Sequence, residues 1–181
     1  MTAPAFLFVI GASGAGKTAA VRALEARALP GVRCYHFDSI GVPSAEVMAR
    51  EWGGGERWQE HATQRWVDRL ATNPDRAELV VLEGQTRPSF IMPRLGASGV
   101  PRWAIVVVDC APGVRAERLR GARAQPELAS PRMEDWARYL REQAVALGLP
   151  VLDTSRLTVE EAADALQREV EEMQSNGRAA T

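Results

Sequence analysis

A short apolar run followed at once by a glycine-rich loop constrains this chain more than any other stretch. Residues 6–18 read FLFVIGASGAGKT. The positions of Gly11, Gly16, Lys17 and Thr18 match the pattern G-x-x-x-x-G-K-S/T in full. In this pattern the apolar run is a buried strand, and the glycines let successive backbone N–H groups turn inward towards an anion. The stretch predicts a phosphate-binding loop between a strand and a helix.

The chemistry of this loop points to a nucleoside triphosphate and a divalent cation. The helix that follows the loop adds unpaired N–H groups and the positive end of its dipole. Lys17, the only lysine of the chain, supplies a mobile cation for the β- and γ-phosphates, and the Thr18 hydroxyl is placed to bind Mg²⁺. ATP and Mg²⁺ are therefore the expected cofactors. The residues predicted to bind the nucleotide here are Gly11, Ala12, Ser13, Gly14, Ala15, Gly16, Lys17 and Thr18.

Composition limits the classes of protein that remain. The 181 residues suit one domain, and 46% apolar with 25% charged residues is ordinary for a globular protein. A net charge of -1 argues against nucleic-acid binding. No apolar run is long enough to span a membrane, the first apolar run is too short for a secretion signal, and the two cysteines do not suggest a disulfide framework. We expect a cytoplasmic protein with no membrane or nucleic-acid partner.

Strand and helix patterns alternate along the chain, which predicts the α/β class. The predicted strands are 5–10, 32–37, 79–82, 103–108 and 151–152. The predicted helices are 17–28, 44–51, 56–71, 88–95, 114–123, 133–147 and 158–173. Because most strands are continuous apolar runs, they favour a parallel sheet with helices on both faces. Ligands of such sheets bind beyond the carboxyl ends of the strands, so residues at those ends are the candidates for function.

Three charged residues follow the predicted strands. Asp38 could accept the proton of an attacking hydroxyl or hold Mg²⁺ through water, or it could cap a helix. Glu83 could orient water bound to Mg²⁺, or it could be a solvated strand end. Arg87 could clamp an anionic acceptor or the migrating phosphoryl group, or it could form a surface ion pair. We expect Gly84 to let the chain pass close to a ligand. We expect His36 to be structural, and Asp109 to be structural or to anchor a loop near the base site.

Two further segments could complete the site. Four arginines share the predicted helix after the fourth strand, at positions 115, 118, 120 and 123; at least one could reach the nucleotide, although most surface arginines are only solvated. The proline-containing segment 124–132 is a candidate lid. The helical insert 43–72 is predicted to bind the acceptor, with Gly53–Gly55 as a hinge. Trp58, Ala62 and Trp66 share one face of this insert at helical spacing. They are most simply residues of the hydrophobic core; the alternative is an aromatic wall for the acceptor.

These motifs together resemble the small P-loop kinases. Residues 82–88, which read LEGQTRP, look like a segment of adenylate kinases. The resemblance implies that Glu83 is the acid that orients the metal and that Arg87 is the arginine that binds the acceptor phosphate. Arg118 and Arg123 look like the arginines before the lid of those kinases. Residues 151–161 resemble the closing strand and helix of gluconate-kinase-like and zeta-toxin-like proteins, in a region where Ser155 would line the adenine pocket.

The resemblance implies a three-layer P-loop domain over residues 1–174, a strand order of 2-3-1-4-5, and a polar tail over residues 175–181. An aspartate after the second strand, as in Phe37-Asp38-Ser39, is similar to chloramphenicol phosphotransferase, where it acts as a base. This feature and the short lid favour a kinase acting on a hydroxyl of a small metabolite or antibiotic. The alternatives are a nucleoside or nucleotide monophosphate kinase, a toxin-like kinase of a nucleotide sugar, and an ATP-binding switch without phosphoryl transfer. Monomer and homodimer both stay open.

Overall fold

Five parallel strands form one sheet in the computed structural model, which describes residues 4–179. The strands are β1 (Ala5–Ile10), β2 (Val32–His36), β3 (Leu79–Gly84), β4 (Trp103–Asp109) and β5 (Val151–Asp153). Their order is β2-β3-β1-β4-β5, and every neighbouring pair is parallel. The predicted α/β class, parallel sheet and strand order are confirmed.

The helices differ from the sequence prediction mainly at their ends. They are α1 (Lys17–Ala26), α2 (Ala45–Trp52), α3 (Gly55–Ala71), α4 (Pro88–Ala97), α5 (Pro112–Arg120), α6 (Pro131–Leu147) and α7 (Val159–Ala179). Helix α5 ends before Arg123, which therefore lies in the following loop. Helix α7 continues beyond the predicted end at residue 173, through most of the predicted tail, and residues 180 and 181 of that tail lie outside the described residues.

Local side chains and backbone conformations explain the ends of the insert helices. The Ser44 hydroxyl accepts a hydrogen bond from the Val47 N–H at 3.3 Å, which caps the start of α2. Gly53 ends α2 in the left-handed conformation, with a φ of 74°, and its N–H bonds to the carbonyl groups of the last turn. A short 3-10 helix, Phe37–Ile40, follows β2 and carries Asp38.

Alternate residues of β1 face two separate cores. Phe6, Phe8 and Ile10 pack on the side of the sheet that is covered by α3, α4 and α6. Leu7 and Val9 pack on the opposite side, against α1 and α7. All five side chains are fully buried. Each such burial contributes about 1.5–3 kcal/mol to folding, so the loop that follows β1 is anchored to the most buried strand of a three-layer structure.

The strand register brings the predicted site residues to one edge of the sheet. Val9 pairs with Glu83, and Glu83 also pairs with His36 on the other side. Asp109 pairs with Asp153 at the ends of β4 and β5. The carboxyl ends of the strands therefore meet beside the glycine-rich loop. No helix within residues 4–179 combines the length and the apolar character needed to cross a membrane.

Candidate active site

The glycine-rich loop connects β1 to α1 through two residues in the left-handed region. Gly14 has a φ of 79° and Gly16 a φ of 93°, where residues with a Cβ are strained. A Cβ on Gly11 would lie 2.2 Å from the carbonyl oxygen of Val108, so the loop passes too close to β4 for any side chain. Gly16 precedes α1 without a side-chain cap. The first N–H groups of α1 are therefore not taken by a capping side chain, which suits an anion-binding loop.

Lys17 lies beneath this loop with its ammonium group out of solvent. Its residue is 4% exposed, and Nζ donates a long hydrogen bond of 3.4 Å to the Ala12 carbonyl. Burial lowers the pKa of Lys17, and the negative charge of Glu83 opposes that effect. A buried ammonium with one weak partner is a strong candidate for binding phosphate oxygens.

Thr18 and Glu83, the two predicted metal ligands, are in contact. The Thr18 hydroxyl donates to Glu83 Oε2 at 3.2 Å, and Glu83 is 5% exposed. His36 Nδ1 lies 2.9 Å from Glu83 Oε1, and His36 Nε2 lies 3.4 Å from Glu25 Oε2, which fits the structural role expected for this histidine. A hydroxyl beside a carboxylate is the oxygen donor set that Mg²⁺ prefers. Residues 4–179 contain no cluster of three or more His, Cys, Asp or Glu side chains suited to a metal.

Asp38 follows the carboxyl end of β2, at the same end of the parallel sheet as the loop that leads to Lys17. It is exposed in the first turn of the 3-10 helix after β2. Its charge acts on Lys17, where it favours the protonated form. Within residues 4–179 its carboxylate makes no hydrogen bond to another protein group. The carboxylate is therefore open to an incoming hydroxyl, and its role as a base stays a prediction.

A cavity of about 560 Å³ opens on the α1 side of the loop. Its lining includes Gly14, Gly16, Thr18, Arg118, Arg123 and Thr154. The structure thus brings both predicted nucleotide arginines to one cavity with the loop. Leu157, Val159 and Ala162 add an apolar side, which would suit the base and ribose of a nucleotide.

Arg118 joins the glycine-rich loop to the end of β5. Its Nη1 donates to Thr154 Oγ1 at 2.9 Å, and its Nη2 donates to the Thr154 carbonyl at 2.8 Å. The Thr154 hydroxyl in turn donates to the Ala15 carbonyl at 2.7 Å. The sequence pattern pointed to Ser155 rather than Thr154, but the Ser155 hydroxyl accepts a hydrogen bond from the Ala111 N–H at 2.8 Å, and Ser155 is not among the residues that line this cavity. Its contact with nucleotide stays a prediction.

Arg115 is a buried structural residue, although its sequence pattern placed it with the surface arginines. It is 1% exposed, its Nη2 donates to Asp109 Oδ1 at 2.7 Å, and its Nε donates to Glu134 Oε1 at 3.1 Å. Burial works against its charge, but the bond to Asp109 and the nearby carboxylates outweigh burial and raise the pKa of Arg115. Leu119 lies four residues after Arg115 on α5 and is also buried, so it marks the inward face of the helix. This apolar residue at helical spacing was the sequence signal for the burial of Arg115.

A second cavity, of about 710 Å³, lies between the insert helix α3 and the start of α6. Arg87 lines it and is held on several sides. Its Nε donates to Gln59 Oε1 at 3.1 Å, and its Nη1 lies 3.1 Å from Glu56 Oε1. Its guanidinium carbon lies 5.0 Å from the ring centre of Trp136 and 5.4 Å from that of Tyr139. Residues 127, 128, 130 and 132 of the predicted lid also line this cavity.

Hydrogen bonds connect the second cavity to the glycine-rich loop. Gln85 lines the cavity, and its Nε2 donates to Ser13 Oγ at 2.7 Å. Gln59 Nε2 donates to the Gln85 carbonyl at 2.9 Å. The insert residues Gly55, Glu56 and Gln59 are thus part of this cavity. The aromatic wall of this cavity comes from Trp136 and Tyr139 of α6. The predicted tryptophans of the insert pack elsewhere: Trp66 is buried in the core, and Trp58 packs edge-on against Phe37, with 6.1 Å between ring centres.

Comparisons with known proteins define the fold. No protein-family profile matches the chain, and neither does any curated protein. Among solved structures, the tunicamycin resistance protein of Deinococcus radiodurans is similar at 19% identity, with a TM-score of 0.63 over 92% of this chain and 95% of that one. Shikimate kinase of Acinetobacter baumannii, in complex with shikimate, gives 17% identity and a TM-score of 0.60 over 96% and 94%. A gluconokinase of Sinorhizobium meliloti gives 18% identity and a TM-score of 0.56 over 97% and 99%. The fold implied by the resemblance to small P-loop kinases is confirmed.

Proposed function

We propose that this protein is an ATP-dependent kinase that transfers the γ-phosphoryl group to a hydroxyl of a small molecule. One observation carries the proposal: the glycine-rich loop borders one cavity directly and touches a second through the Ser13–Gln85 hydrogen bond. A nucleotide switch needs only the first cavity, whereas a phosphotransferase needs a donor site and an acceptor site. The similarity of the fold to shikimate kinase and gluconokinase supports the same conclusion.

The donor site would act by holding charge in place. Lys17 and the loop N–H groups would bind the phosphates and stabilise the charge on the transferring group. Thr18 and Glu83 would hold Mg²⁺, which neutralises phosphate charge when it is bound. Since Glu83 is fixed by both Thr18 and His36, its carboxylate is already oriented before any ligand arrives.

Asp38 would take the proton of the acceptor hydroxyl. It is an exposed carboxylate near Lys17 at the carboxyl end of the sheet. His36, which could also accept a proton, lies between two carboxylates and is less available for the reaction. In this proposal Asp38 supplies the general base and the buried Lys17 supplies the positive charge.

The test is an ATP-consumption screen against sugars, hydroxy acids, antibiotics, nucleosides and nucleoside monophosphates. Lys17→Ala serves as the blank, and we expect it to lose at least about 10²-fold in acceptor-dependent turnover. Asp38→Asn should keep its calorimetric affinity for ATP–Mg²⁺ but lose acceptor phosphorylation. The matched control is Glu142→Gln, an exposed carboxylate on α6 outside both cavities. Unchanged turnover in Lys17→Ala would refute the donor site, and acceptor-independent hydrolysis alone would indicate a switch.

A further inference from the structure

We infer that the second cavity selects hydroxylated acceptors that carry no negative charge, and that Glu56 sets this preference by neutralising Arg87. The inference rests on the proposed function, because it assigns the acceptor class of the proposed kinase. It departs from the sequence-based expectation that Arg87 clamps an anionic group. Three features of the cavity carry it: the balance of charge in its lining, the contacts of Arg87, and the aromatic wall.

The charged side chains that line the cavity give it no excess of positive charge. Three carboxylates, those of Glu56, Glu127 and Asp135, stand against the guanidinium groups of Arg87 and Arg132. Asp135 is also paired with Arg138, which lies outside the lining. Even with that carboxylate neutralised, two negative charges balance two positive ones. An anionic acceptor would enter a lining that offers it no net electrostatic attraction.

The guanidinium of Arg87 already has partners around it. Gln59 Oε1 accepts a hydrogen bond from Nε at 3.1 Å, and Glu56 Oε1 forms an ion pair with Nη1 at 3.1 Å. The rings of Phe90, Trp136 and Tyr139 lie within 5.3, 5.0 and 5.4 Å of its central carbon. Glu56 offsets the positive charge that a carboxylate or phosphate of a substrate would need, while Gln59 and the rings occupy one N–H group and the faces of the guanidinium. To bind Arg87, such an anion would have to compete with Glu56 at close range.

The rest of the wall favours a neutral and partly flat molecule. Trp136 and Tyr139 stack on one another, with ring centres 5.5 Å apart and an angle of 16° between planes. Leu128 and Met133 add apolar surface, while Gln59 and Gln85 supply uncharged amides. Aromatic and apolar walls with a few polar groups bind neutral ring systems, and the amides can orient hydroxyl groups.

The experiment compares acceptors that differ only in charge. Shikimate, gluconate and aromatic hydroxy acids are each paired with the corresponding methyl amide, and ATP consumption gives kcat/KM for both members. We expect the wild type to prefer the amides by about tenfold or more. Glu56→Gln frees a charged donor on Arg87, so it should shift the preference towards the acids by about tenfold. Glu60→Gln, an exposed carboxylate one turn further along α3 and outside the cavity lining, should leave the preference unchanged.

The outcomes separate this inference from the proposed function. Acceptor-dependent ATP consumption that favours the acids, or that treats both members alike, overturns the inference and leaves the kinase assignment intact. A Glu56→Gln variant with wild-type preference overturns the role of Glu56. If no pair consumes ATP above the Lys17→Ala blank, the screen counts against the proposed function. Saturation-transfer NMR with the same pairs then decides the inference: binding of the amides alone supports it, and tighter binding of the acids, or no binding by either, overturns it.

Discussion

At the scale of single residues, Gly84 shows how one position at the strand ends is constrained. A glycine after Glu83 suggested close passage of a ligand, but its nearest neighbour is a protein side chain. A Cβ added to Gly84 would lie 2.3 Å from the Cβ of Phe37 and 2.8 Å from its Cγ. Phe37, the first residue of the 3-10 helix that carries Asp38, is fully buried in the core. The absence of a side chain at Gly84 therefore lets Phe37 hold that helix against β3.

We expect Gly84→Ala to destabilise the protein by about 1–3 kcal/mol, because the added methyl group overpacks a core that has no room for it. Gly96→Ala is the matched control. A Cβ there meets nothing within 4 Å, and Gly96 lies in α4, so alanine should be neutral or stabilising by up to about 1 kcal/mol. Urea unfolding followed by circular dichroism measures both. Equal free energies of unfolding for the two variants would contradict the packing argument.

At the scale of elements, helix α5 carries arginines of opposite character. Arg115 is buried against Asp109, whereas Arg120 is exposed. We expect Arg115→Ala to cost about 3 kcal/mol in the free energy of unfolding, because the buried Asp109 carboxylate loses one of its charged partners. Arg141 still bonds to the other oxygen of Asp109, which keeps the loss at the lower end of the range for a broken buried pair.

The matched variant, Arg120→Ala, should stay within about 0.5 kcal/mol of wild type. Chemical denaturation of both proteins under the same conditions gives the comparison. If the two substitutions shift the urea midpoint by similar amounts, the ion pair between α5 and the end of β4 does not support this part of the fold.

The same elements show which parts of the structure the sequence could predict. The glycine-rich loop, the strands and the nearness of Thr18 to Glu83 follow from local patterns and from the parallel sheet that those patterns require. The surroundings of Arg87 do not, because the neighbouring rings come from α4 and α6, and its hydrogen-bond and ion-pair partners come from α3. The burial of Arg115 likewise depends on Glu134, which belongs to another helix. Contacts between distant elements are set by packing, and a single sequence carries little direct signal for them.

At the scale of the whole molecule, folding changes the acidity of groups that take no part in the proposed chemistry. Burial, with a smaller contribution from Glu25, raises the pKa of Cys34 to about 12. Burial also raises the pKa of Tyr35 to about 12, and it raises that of Cys110. In the unfolded chain a cysteine titrates near about 8.5. Above that pH the unfolded chain has lost protons that the folded protein still holds.

This difference gives a pH dependence with a definite sign. Where the folded state binds more protons than the unfolded state, the free energy of unfolding falls as pH rises. The stabilising effect of protonated Cys34 is thus complete below about pH 8 and is lost progressively between about pH 8.5 and 12. The lowered pKa of Lys17 acts in the opposite direction, so the wild-type curve alone does not isolate Cys34.

The comparison of wild type with Cys34→Ser removes the contribution of Lys17, which both proteins share. We expect the stability of wild type relative to Cys34→Ser to be constant from pH 6.5 to 8 and to fall above pH 8.5, by at most about 1.4 kcal/mol per pH unit. Urea titrations at half-unit intervals up to pH 10 measure this difference. A difference that stays constant across pH 8.5–10 would show that the Cys34 thiol titrates alike in both states, and that β2 does not hold it out of solvent.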